Sequence, residues 1–414
     1  MQSPQFLAAA LLVASFSAPA LATSVQAPTA IPDEPSLVQG DAASLVRFAV
    51  DLTALMPTVP HEKTRSRLQS ELVESALDAG ELEVARAIPP TITNWRRGLG
   101  LATIAAHLAE NGTPEETQDA LEAAIAFEES ITGEFDQGWR RDRVRAMIGK
   151  TFALMGDPVR AARIQRGLEP SEAQRLAEVS VDFASEENWR ESVEAMSQLI
   201  VRGNLDQVQH GLLTLTKIYE RFGTTTEERD EILAAIRSVW DGSHLQPRIE
   251  ALLRMIETDL GRGDKAHAMS MVEEIEGLIA GNRWQPEMKV GMLATAAAKR
   301  FRCGDEDGAR EALAGALGLF GDEREGIVNM FRVRALLPLA EAYAEIGNTQ
   351  SADDVYRVAL TEALENPNER PRIDNLVQIV RSIVERGHRP SKGLRTQVQQ
   401  VGDLVRASYA AKSR

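Results

Sequence analysis

From about residue 42 to residue 411 the apolar residues recur at three- and four-residue intervals, the spacing of an amphipathic helix, and no stretch alternates as a half-buried strand would. The clearest case is Leu336–Leu360, LLPLAEAYAEIGNTQSADDVYRVAL, which reads as two amphipathic helices joined at Gly347–Asn348. Other predicted helices also end at a glycine or small residue and restart a few positions later. The junction glycines are Gly80, Gly112, Gly156, Gly223, Gly263, Gly304, Gly347 and Gly387. The long interval between Gly156 and Gly223 holds one more pair without a glycine: QRLAEVSVDFA, a turn at SEEN, then WRESVEAMSQL. The pattern predicts about nine helical hairpins at a period of about 40 residues.

The junctions have a chemical cause. Glycine takes the left-handed conformation that ends a helix without a Cβ clash. The next residue is often able to cap the following helix, as in Gly156–Asp157, Gly263–Asp264, Gly304–Asp305 and Gly347–Asn348. Pro247, Pro286 and Pro371 stand where first helices should open, a position whose N–H needs no partner. Five residues after the glycine stands a small residue, Ala85, Ala161, Ala309 or Ala352, which lets neighbouring helices approach.

With Gly347 as the turn glycine, Leu336, Leu339, Ala340, Tyr343, Ala352, Tyr356 and Ala359 fall on the packing positions of tetratricopeptide repeats. The Gly304 unit matches through Leu293, Ala296, Ala297, Ala309, Leu313 and Ala316, and the Gly156 unit through Ile148, Gly149, Phe152 and Ala161. The chain therefore resembles a degenerate tetratricopeptide-repeat (TPR-like) α-solenoid over residues 42–411. The period exceeds that family's 34 residues, and the family's tryptophan is absent from its place. The resemblance implies an all-α, right-handed α-solenoid, elongated and curved, whose concave face holds peptides, protein termini or helices. Leu394, Val398, Val401, Val405 and Tyr409 form one apolar stripe, suited to a terminal capping helix of an open array.

The domain reading is a signal peptide at 1–22, a disordered linker at 23–40 and the solenoid at 41–411. Residues 1–22 have an apolar core, Phe6 to Phe16, before Ala20-Leu21-Ala22, which predicts cleavage after Ala22. Three prolines and few bulky apolar residues mark the linker. No later stretch is apolar enough to span a membrane. These features predict an exported protein, periplasmic or secreted. If the signal is misread, the alternative is a cytoplasmic TPR adaptor.

The formal net charge of −15 argues against nucleic acid as a partner, since no global field attracts phosphates. Cys303 is the single cysteine, so no intrachain disulfide forms; it reads as a small buried hydrophobe. The six histidines lack metal-ligand spacing, and paired glutamates such as Glu273–Glu274 suit a solvated helix face. No nucleophile-elbow, P-loop or dinucleotide glycine motif occurs. The expectation is no enzyme, no cofactor and no metal.

One recurrence is left. Fifteen positions before the junction glycine stand Arg65, Arg97, Arg141, Arg248, Lys289, Arg332 and Arg372, with Val208 the exception. Two copies share a longer string, Trp95-Arg96-Arg97 and Trp139-Arg140-Arg141. This places a cation near the start of each first helix, where the helix dipole disfavours it. Two uses fit: a ladder of arginine–carboxylate contacts between repeats, or an edge that binds an anionic partner. The tryptophans either seal the joints between repeats or anchor a ligand. The expected site is therefore Arg97, Arg141, Arg248, Lys289, Arg372, Trp95 and Trp139. The expected partner is a protein or peptide, with an accessory role in a peptidoglycan enzyme system as the alternative.

Overall fold

A computed structural model describes residue 37 and residues 40–131, 138–168, 189–202, 205–240 and 244–412, and among these the regular structure is entirely helical. The expected signal peptide lies outside the described residues. So does most of the linker, but Leu37 is described and buried in the main core, so the packed unit starts before residue 41. QRLAEVSVDFA and the SEEN turn also lie outside.

The helices are α1 (Ala42–Ala54), α2 (Thr58–Asp78), α3 (Leu82–Ala87), α4 (Arg96–Asn111), α5 (Pro114–Ser130) and α6 (Gly138–Leu154). They continue as α7 (Pro158–Gln165), α8 (Trp189–Arg202), α9 (Leu205–Phe222), α10 (Thr226–Ser238), α11 (Leu245–Arg262) and α12 (Lys265–Ala280). The last six are α13 (Pro286–Cys303), α14 (Glu306–Glu323), α15 (Asn329–Glu345), α16 (Thr349–Glu365), α17 (Glu369–Glu385) and α18 (Lys392–Lys412). First helices are α2, α4, α6, α9, α11, α13, α15 and α17. Each packs on its own second helix, and α2, α4, α9, α11, α13 and α15 also pack on the first helix that follows.

The junctions form largely as the residues predict. Gly80, Gly156, Gly263, Gly304, Gly347 and Gly387 have positive φ. Asp157, Asp264, Asp305 and Asn348 each accept a hydrogen bond from the backbone N–H three residues on, at 3.0–3.1 Å. Gly112 and Gly223 do not take the left-handed form. There Thr113 with Glu116, and Thr225 with Glu228, make capping boxes that start the next helix from an extended residue.

The carboxyl of Asp264 is held below its ordinary range, first by the hydrogen bond from Arg229 and then by the His267 N–H. A lowered folded-state pKa gives stabilisation that is complete above the ordinary aspartate pKa and is lost as pH falls through the lowered one. Asn caps nearly as well as Asp but cannot pair with Arg229. Asp264→Asn is therefore expected to lower the melting temperature at neutral pH. Thermal melts should show the gap to the parent closing as pH falls below the ordinary carboxylate range.

The open array expected from the sequence is not what forms. α1 packs against both α2 and α17, and the largest core joins α1–α4 to α13–α18. Across this seam Arg67 pairs with Asp374 and Arg381 with Glu71, both at 2.8 Å, while Ser75 donates to Glu385 at 2.6 Å. Phe48 is fully buried, its ring against Gly402 of α18, where a Cβ would not fit. Leu394, Val398, Val401 and Val405 are buried as the stripe predicts. α18 keeps a solvated face, with Thr396, Gln400 and Leu404 exposed, but its buried face also meets α1, so the two termini of the array meet.

A proline at 338 suits a helix that starts near Leu337, or a longer one from Glu323 that kinks there. Instead α15 runs from Asn329 with Pro338 inside it, beside Gly291 of α13. Arg332 is consequently buried in the first turns of α15.

Candidate functional site

Polar contacts between neighbouring repeats recur at about one repeat length. Glu341 of α15 pairs with Arg386 just after α17 (2.7 Å), and Glu345 with Lys299 of α13 (2.7 Å). Lys299 and Arg302 both reach Glu257 of α11 at 2.6 Å. Gln209 of α9 donates to Glu250 of α11 at 3.1 Å. With the seam pairs, this lattice runs from α9 through α17 to α2. Between α9 and α11, Tyr219 donates to the fully buried Asp259 (2.8 Å), which also bonds His267 (2.6 Å). Burial and Asp259 together push the Tyr219 phenol well above its ordinary pKa.

The lattice stops at α4. Among the described residues, no ion pair joins α4 to α2 or to α6. The starts of α4 and α6 instead carry an aromatic–arginine cluster. Trp95 and Trp139 meet edge to face with centroids 5.5 Å apart. The Arg96 guanidinium lies 4.8 Å from the Trp95 centroid, and Arg140 and Arg143 lie 5.6 and 5.8 Å from that of Trp139. Arg97 stands 5.6 Å from the Phe127 ring of α5. Burial, then the charge of Arg143, lowers the Arg96 pKa. Like charges crowd here in a chain whose net charge is −15. Trp139 is the exposed member, at 39%, while Trp95 is buried.

The expected site residues divide. Trp95 and Trp139 come together, and Arg97 stays beside them without a carboxylate among the described residues. Arg141 pairs with Glu128 of α5 at 2.6 Å. Arg372 donates to the Asn366 carbonyl at 2.5 Å, as Arg65 does to Met56 and Arg332 to Ile327. These arginines tie the start of a first helix to the chain that precedes it. Arg248 is half-buried and engaged, and Lys289 is half-buried in the first turn of α13. The seven residues therefore do not form one binding edge. Trp189 and Trp240 are buried and seal joints, Trp189 by stacking on Phe222.

Arg96, Arg140 and Arg143 were missed because the fifteen-residue spacing marks the wrong register. One residue along a helix is a rotation of about 100°. Arg97 and Arg141 consequently turn toward neighbouring residues of α5, Phe127 and Glu128, while Arg96 and Arg140 reach the indoles. The signal that could have found Arg96 and Arg140 was the repeated Trp-Arg-Arg string.

Two cavities of about 600 and 590 Å³ lie near first-helix starts. The first adjoins the seam, between Pro57, His61, Pro371 and Tyr409. The second lies between α9, α11 and α13, lined by Gln209, Gln246, Glu250, Arg283, Trp284 and Met288 among others.

No protein-family model matches the chain, and no curated protein matches it. Two solved structures are similar in part. One is the crystal structure of Ton1535 from Thermococcus onnurineus NA1, 13% identical, covering 87% of this chain and 94% of that one, with a TM-score of 0.25. The other is a circular tandem repeat protein with novel repeat topology and enhanced subunit contact surfaces. It is 17% identical and covers 90% of this chain and 85% of that one, with a TM-score of 0.22. At these scores neither bears on the function of this chain.

Proposed function

We propose that this chain is an exported, non-catalytic binding protein built on a TPR-like, right-handed repeat array. Its site is the Trp95–Trp139 cluster, and its partner is a protein that presents an acidic segment. The observation that carries the reading is the gathering of Arg96, Arg97, Arg140 and Arg143 over aromatic rings at the starts of α4 and α6. Arg96 and Arg97 face rings, with no carboxylate partner among the described residues, in a chain that is otherwise strongly acidic. A guanidinium held on an indole keeps its donors in one plane, ready for a carboxylate. The exposed Trp139 adds an apolar anchor of the kind that dominates binding sites.

Poly-L-glutamate titrated into the full chain, followed by tryptophan fluorescence, tests this. Saturable binding is expected that weakens as salt rises. Arg96→Glu with Arg97→Glu should weaken it by about tenfold or more. Both positions open α4, where an acid favours the helix, so far-UV circular dichroism should be unchanged. Unaltered affinity in that variant would overturn the assignment.

A further inference from the structure

We infer that the cavity between α9, α11 and α13 is a binding site for an uncharged oligosaccharide. It is an open groove of about 590 Å³, the size of small-ligand sites, which combine an apolar wall with a few placed polar groups. The apolar wall here is Trp284 with Met288. The Trp284 N–H is directed at the Leu278 carbonyl, 3.5 Å away, which leaves the apolar part of the indole for the cavity.

The polar side is set by Glu250. One carboxylate oxygen accepts from Gln209 at 3.1 Å and the other from Gln246 at 3.0 Å. A carboxylate can only accept, so both amides must turn their NH₂ groups toward it and their carbonyls away. The lining thus offers two oriented acceptors, a carboxylate and the donors of Arg283. The charges of Glu250 and Arg283 cancel, so nothing in the lining favours an ion. A pyranose has what this wall lacks: hydroxyls that both donate and accept, and a flat C–H face to lay on an indole. The site shares no residue with the Trp95–Trp139 cluster, so either assignment can fail without the other.

The test uses the full chain with three neutral tetrasaccharides, of β-1,4-linked N-acetylglucosamine, β-1,4-linked glucose and α-1,4-linked glucose, followed by calorimetry and tryptophan fluorescence. At least one should bind with a dissociation constant below about 1 mM. Trp284→Ala should weaken it by about tenfold or more, Gln246→Ala by several-fold, and Arg96→Glu not at all. Should Trp284→Ala lose its helical signal, Gln246→Ala, at an exposed position, decides alone. Absence of binding by all three sugars overturns the inference. So does undiminished affinity in Gln246→Ala, or displacement of the sugar by apolar tetrapeptides but not by a second sugar.

Discussion

Deleting residues 392–414, which include α18, is expected to expose the beginning of the chain as well as its end. In an open repeat array each unit leans only on its neighbours, so loss of the last helix leaves distant repeats intact. Here α1 is distant in sequence but adjacent in space. Phe48 packs on Gly402, and the Arg406 guanidinium lies 5.2 Å from the Phe48 centroid. The truncated chain would leave that ring and the neighbouring apolar face of α1 in water. Hydrogen exchange read by mass spectrometry should show amides 42–54 losing protection while α11–α13 keep theirs. Protection of α1 equal to that in the full chain would mean the seam contributes nothing. A milder probe gives the same sign: Phe48→Ala should cost about 3–5 kcal/mol, because the ring is fully buried and its site cannot collapse around the loss.

The elements and their joints could be read from the sequence because their causes are local. The capping of Asp157, Asp264, Asp305 and Asn348 depends on residues three apart, and the left-handed glycines on their own backbone. Closure depends on pairs such as Arg67–Asp374, more than three hundred residues apart, which no periodicity encodes. The one available hint was α1 itself, where Leu45, Val46, Phe48, Ala49, Val50 and Leu52 leave little polar face. A helix apolar nearly all round is buried, but its composition does not name the surface that buries it. The site was half legible for a similar reason. Spacing identified Trp95 and Trp139, but which arginine joins them depends on helix rotation relative to α5, a tertiary quantity.

The basic residue fifteen before the junction glycine is one signature with two fates, and substitution should separate them. Arg332 is 8% exposed and bonds the Ile327 carbonyl at 3.0 Å and the carboxylates of Glu362 and Glu365 at 3.3 and 3.0 Å. Glu362 is itself buried, so removing Arg332 leaves its carboxylate compensated by Arg324, which donates to both its oxygens at 2.6 and 3.1 Å. Arg332→Ala should therefore destabilise the protein by about 3 kcal/mol. Arg97→Ala removes only a guanidinium–ring contact, about 0.5–1 kcal/mol, while weakening acidic ligands. The pair Arg332→Met with Glu362→Leu should recover much of the first loss, since apolar groups of similar volume replace buried ions with little penalty. Urea unfolding of the three variants measures this directly. If Arg332→Ala and Arg97→Ala cost the same, the division between tie and binding residue is wrong. If the double variant is as unstable as Arg332→Ala alone, the stranded Glu362 charge is not the source of the loss.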